Sequence, residues 1–161
     1  MALTLGIYGH VHDPSQRLSF PLIFQSTIAM KVCFATVALA FAVVQVLSAL
    51  WLYGKLGVAA PPWLGQVHRI SGRIAFIVSL PVAYHCLWSL GFQNTSARVL
   101  AHSVLGCAFY GAFAAKVTIV RSRSLPGAAL PIAGGLTFAV LVAVWLTSAL
   151  WFIDNNGFPA L

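Results

Sequence analysis

The sequence has almost no negative charge. Two acidic residues, Asp13 and Asp154, stand against nine lysines and arginines in 161 residues, for a formal net charge of +7. Proton and cation paths through a membrane normally use buried acids, so the near absence of acids disfavours a small transporter. Charged residues of both signs make up only 7% of the chain and hydrophobic residues 60%, whereas an ordinary soluble domain carries about 25% charged residues. With a mean hydropathy of +0.92, this composition excludes a soluble fold and predicts an integral membrane protein in contact with lipid. The excess of base belongs at span ends and in short loops, where it sets orientation, so no nucleic-acid partner is expected. Cysteine is scarce too. Cys33, Cys86 and Cys107 form neither the C-x-x-C of a redox or zinc site nor the C-x-x-C-H of covalent haem attachment, and their odd number excludes a purely intrachain disulfide set. No flavin or nicotinamide motif, internal repeat or low-complexity tract occurs.

What is abundant is apolar sequence in long runs. Residues 1–25 read as a polar tail containing His10, His12, Asp13 and Arg17, without the apolar region and small-residue cleavage site of a signal peptide. His10-x-His12-Asp13 could bind a metal weakly, but short histidine pairs in tails are usually inert, and ligand count decides such sites. Residues 26–154 form one domain and 155–161 a short C-terminal tail. Within the domain, spans are predicted at about 27–53, 67–92, 97–120 and 130–153, each long enough for a hydrocarbon core of about 30 Å. Trp51, Tyr53 and Trp151 suit the interfaces. Pro61-Pro62-Trp63 breaks the chain before span two, and Pro81 inside it removes a backbone hydrogen bond. Short connections make neighbouring spans antiparallel, so the expected fold is an all-α membrane protein, a four-transmembrane-helix up-and-down bundle.

Lys55, Arg69, Arg73, Lys116, Arg121 and Arg123 gather on one side, with Arg17, Lys31 and Arg98 on the other. The positive-inside rule makes the first side cytoplasmic, so both termini and the turn between spans two and three face outward.

The residues most in need of explanation are His85 and His102. The polar break Gln93-Asn94-Thr95-Ser96 separates spans two and three, and each histidine lies about eight positions from its centre. Antiparallel helices therefore carry both imidazoles to nearly the same depth, in the outer half of the membrane. Ionisable side chains inside spans are costly, usually face the bundle interior and mark function. One neutral imidazole from each of two facing helices would supply both axial positions of a haem iron. At about 100° per residue, Arg98, His102, Gly106, Phe109, Phe113 and Lys116 share one stripe of span three. Arg98 there is a candidate propionate partner, and Gly106 clears space beside His102, although Gly106 and Gly111 equally suit close helix packing. Zinc or copper would need three or four ligands, with only Cys86 and Cys107 to complete a set. The bland reading is a pair of histidines satisfied by neighbouring hydroxyls and carbonyls. In the cytoplasmic half, His68, Arg69, Lys116 and Gln45 are candidates to line a quinone or anion pocket, against the default that Arg69 and Lys116 snorkel to the surface.

His85 and His102 on successive spans, with Gly106 behind, resemble the b-type haem membrane cytochromes of the cytochrome b561 and ferric-reductase-like class. The segments GRIAFIVSLPVAYHCLWSLGF, ARVLAHSVLGCAFYGAFAAK and LPIAGGLTFAVLVAVWLTSALWF are also similar to a family of small bacterial four-span proteins classed only as a domain of unknown function. The second likeness covers about residues 30–153 and implies no activity. The first implies one non-covalent haem b with bis-histidine ligation by His85 and His102, and electron transfer across the membrane. Di-haem members of that class use two histidine pairs, whereas only His68 lies in the cytoplasmic half here, which implies a single haem. Taken together, these features lead to an electron-transfer subunit of the bacterial cytoplasmic membrane rather than a complete enzyme. Its expected partners are a redox protein at the outer face or a quinone, within a larger respiratory complex or a homo-oligomer. The alternatives are a haem-free structural or assembly subunit of a respiratory complex, and a small membrane transporter.

Overall fold

The computed structural model describes residues 1–15, 21–122 and 125–159; Arg17 and Arg123, counted above for orientation, lie outside the described residues. Among these residues the chain is all helical: α1 (Ala2–Val11), α2 (Thr27–Leu52), α3 (Leu64–Leu90), α4 (Ala97–Arg121) and α5 (Ala129–Asn156). The last four are long and apolar enough to cross a membrane. Only 17 to 28% of the most apolar stretch of each is buried inside the bundle, so side chains such as Ile77, Val104 and Ile132, all more than one-third exposed, need lipid rather than water around them.

Local sequence sets the helix ends. The Ser26 hydroxyl caps α2 by accepting from Ala29 N at 3.1 Å, and Ser96 caps α4 through Val99 N at 3.3 Å, each satisfying one of the free first-turn amides. Gly91 stops α3 with φ +71°, and a Cβ there would lie 3.1 Å from Gly9 O. Both the left-handed backbone and the close approach require glycine. Two helices carry wide π-helical turns, α3 at His85–Leu90 and α5 at Leu146–Leu150. The first begins four residues after Pro81, whose ring removes an amide from the α-helical ladder.

The packing is uneven. Helix α2 lies closely against α3, and α4 against α5, with α2 and α5 also in contact. Although consecutive, α3 and α4 do not approach closely with their backbones; bulky side chains hold them apart. Phe76 stacks on Phe113 with ring centroids 4.3 Å apart. Tyr110 donates to Ser79, its Oη 3.0 Å from Oγ and 3.1 Å from the carbonyl oxygen. Ala42, Phe109, Tyr110 and Leu141 form the buried centre. Trp145 Nε1 donates to Thr36 Oγ1 at 3.1 Å and ties α5 to α2.

The N-terminal segment differs from the polar tail read in residues 1–25. Ala2–Val11 is an apolar helix laid along α4 and the α3–α4 turn. At about 1.5 Å per residue it is about 15 Å long, roughly half of what crosses a bilayer. Its docking rests on small residues: a Cβ added at Gly111 of α4 would lie 2.7 Å from Ala2 Cβ, and Phe92 N donates to Gly9 O at 2.7 Å. Ten residues with one histidine carry too little hydropathy for a span and too little polarity for a solvated tail, so only the neighbour decides their state.

Candidate cofactor site

Where α3 and α4 diverge, toward the end of the bundle that carries their turn, a cavity of about 380 Å³ opens. Cys86, Val82 and Ala83 of α3 face Arg98, His102 and Gly106 of α4 across it; Lys31 and Ala35 come from α2 and Val144 from α5. Phe109 and Tyr110 close it toward the middle of the bundle, and Phe92 and Gln93 toward the turn. That turn is pinned to α4, because Ser103 Oγ donates to Gln93 O at 2.9 Å and lies 3.2 Å from Gln93 N.

His102 is held from behind. Its Nδ1 lies 3.3 Å from Thr147 Oγ1, and that hydroxyl is 2.9 Å from Ala143 O. With the hydroxyl proton on Ala143 O, the imidazole donates from Nδ1, and the lone pair resides on Nε2. Metal-bound histidines usually have this arrangement, with one ring nitrogen oriented by the protein and the other left to ligate. Arg98 is anchored by the π-helical turn of α5, where its Nη1 donates to Thr147 O at 2.7 Å and its guanidinium carbon lies 3.8 Å over the Trp151 ring. A Cβ added at Gly106 would meet nothing within 4 Å, so this glycine borders open space rather than a tight helix contact.

The expected axial pair is not symmetric about the cavity. His85 is fully buried in the π-helical turn of α3, but the cavity wall at that level is Cys86, the next residue. His102, Arg98 and Gly106 thus share the cavity, and His85 adjoins it in sequence. Of the tail residues, His12 stacks on Tyr8 at 5.0 Å and lies tilted against Trp88 at 4.7 Å, while His10 meets the edge of Phe92. Among the described residues no three His, Cys, Asp or Glu side chains come together as a metal cluster, and the three cysteines are free.

At the opposite end the second candidate group is largely assembled. Gln45 Nε2 donates to Ser71 Oγ at 2.8 Å and to His68 O, while Gln45 Oε1 accepts from Lys116 Nζ at 3.4 Å. His68 Nδ1 lies 2.8 Å from Ser48 Oγ. Arg69 is exposed and outside this network. These bonds join α2, α3 and α4, and none of Gln45, His68 and Lys116 lines the cavity described above. A Cβ at Gly72 would lie 2.8 Å from Gln45 Oε1. Gly72→Ala should therefore swing the carboxamide away and cost about 1 to 2 kcal/mol, three interhelical bonds at about 0.6 kcal/mol each. Combining it with Gln45→Ala in an SDS-unfolding cycle should give a coupling of about 1 kcal/mol; additive single effects would contradict the geometry.

Sequence reading did not single out Thr147 or Lys31 as parts of the site, and weighed Cys86 only as a ligand to complete a zinc or copper set. Thr147 is 45 positions from His102, and no local pattern connects them.

No curated protein and no solved structure matches the chain. The model of one family matches it over residues 1–160, and by that match the chain belongs to DUF6529, a family of unknown function.

Proposed function

We propose that the cavity between α3 and α4 binds one non-covalent haem b and that the protein is an electron-transfer subunit in the bacterial cytoplasmic membrane, with His102 and His85 as axial ligands and Arg98 toward a propionate. The observation that carries this reading is the cavity wall on α4, which His102 lines with its Nδ1 3.3 Å from Thr147 Oγ1, a contact that would leave Nε2 to ligate, and where Gly106 leaves the neighbouring space open. The α3 wall fits the group on one condition. Cys86 holds the wall position, and exchanging it for His85 is a rotation of the π-helical turn by one residue's step. A π-helical turn, an element frequent at functional sites, lies at that residue. When bound, haem supplies the one-electron couple; the chain supplies ligands, orientation and a dry apolar surround that excludes water from the iron. Both sides of the ring being ligated would leave no open position for oxygen, which favours a carrier over an oxidase. Redox partners are then a protein docking at the extracytoplasmic turn end or a quinone, within a larger complex or a homo-oligomer.

The test is the oxidised and dithionite-reduced absorption spectrum of protein expressed with haem supply and purified in mild detergent, with a pyridine haemochrome assay. One low-spin b-type haem per chain is expected. A thiolate-type spectrum would put Cys86 in place of His85, and colourless protein despite adequate haem would defeat the proposal and leave a structural subunit.

A further inference from the structure

Among the described residues the cavity is lined by two cations and no acid. Lys31, one turn into α2, and Arg98, at the start of α4, both line it, on helices that are not close neighbours in the bundle. Neither of the chain's two acids, Asp13 and Asp154, lines it. Among the described residues no hydrogen bond or ion pair occupies the Lys31 ammonium. Arg98 uses one Nη1 bond on Thr147 O and stacks on Trp151, which fixes the guanidinium in place with donors to spare. A lysine near a span end ordinarily snorkels to the interface; this one is half-buried and lines the bundle interior. Two uncompensated positive charges beside an apolar chamber match a ligand with an apolar body and carboxylate heads.

We propose that Lys31 and Arg98 form a dicarboxylate-binding subsite at the turn end of the cavity, Lys31 being the member that the sequence does not single out. For the identity of the apolar body this rests on the haem reading, in which the heads are the two propionates; the charge pair itself does not depend on iron. A membrane fatty acid offers the same carboxylate-and-apolar chemistry from another source.

Metal-free protoporphyrin IX separates the two questions, because it has the carboxylates and no iron to ligate. Its binding to the full-length protein in detergent, followed by fluorescence, should be at least about tenfold tighter than that of its dimethyl ester, since each charge-assisted bond is worth about a factor of ten. Lys31→Met breaks no described contact and should fold normally while cutting that preference several-fold; Lys31→Met with Arg98→Gln should abolish it. His68→Ala, at the far end of the bundle against Ser48, should leave the preference intact. Equal binding of diacid and ester by the unaltered protein, or a preference surviving in the double variant, would overturn the subsite. Displacement of the porphyrin by oleate, lost in the same variants, would support the subsite and assign it to a membrane carboxylate. If ferric haem shows no axial ligation while the diacid preference persists, the haem function falls and the subsite stands. Ligated haem with equal affinity for diacid and ester forms would do the reverse, sustaining the haem function and removing the subsite.

Discussion

Protein carrying His102→Ala should emerge from purification with its haem content reduced at least about tenfold, a loss on the scale seen when even a ligand's supporting partner is removed. Among the described residues His102 is the one imidazole in the cavity wall, and its Nδ1 lies 3.3 Å from Thr147 Oγ1. Loss of the ring would remove both a ligand and the group that orients the α4 side of the pocket. Thr147→Val should give a weaker version of the same defect, because the imidazole remains but its tautomer and angle are no longer held. His85→Ala should match His102→Ala if the α3 turn presents that residue to the iron. If haem survives His85→Ala but is lost in Cys86→Ala, the α3 ligand is the thiolate. His68→Ala should keep full haem content, since His68 sits at the far end in the Gln45 network with its Nδ1 against Ser48. Equal haem loss from all three histidine variants would point to general unfolding, and circular dichroism on the same samples would reveal it.

Gly111→Ala should dislodge α1. The added methyl would lie 2.7 Å from Ala2 Cβ, 3.3 Å from Ala2 N and 3.4 Å from Ala2 Cα. Because two of those atoms are backbone, no rotamer change relieves the contact, and the helix must shift. Overpacking of this kind costs about 1 to 3 kcal/mol, a large share of what a ten-residue helix can gain from docking. The four spans do not depend on that contact, so bundle stability should change little. Spin labels on Leu3 and Val120, both exposed, should give a narrow distance distribution in the unaltered protein and a broad one in the variant. An unchanged distribution would mean that α1 is held chiefly by the Gly9–Phe92 bond at the other end. Since Leu5 of α1 lines the cavity, the same variant should also weaken porphyrin binding, to a lesser degree than His102→Ala weakens haem retention.

Membrane insertion and the four spans were legible because hydropathy sums locally. Twenty or so apolar residues exceed the cost of a few polar ones whatever their neighbours are, and the polar break Gln93–Ser96 marks where one span ends and the next begins. His85 and His102 were legible by rarity, and their similar depth followed from counting residues about the Gln93–Ser96 break. Which face each presents was not. On α4 the ordinary 100° advance holds, and Arg98, His102 and Gly106 do line one cavity. On α3 the π-helical turn begins at His85 itself, and a change of helical pitch alters the phase of every residue after it, so periodicity cannot decide between His85 and Cys86.

Composition and spacing alone therefore determined that this is a membrane helix bundle almost without acids, with one imidazole on each of two successive spans. Tertiary structure decided what the spacing could not reach. Thr147 meets His102 across 45 residues, Lys31 faces the same cavity from a helix that is not a close neighbour of α4, and α1 becomes a helix docked on α4. These are contacts between helices, and their free energy comes from fit between surfaces that no single stretch of chain contains.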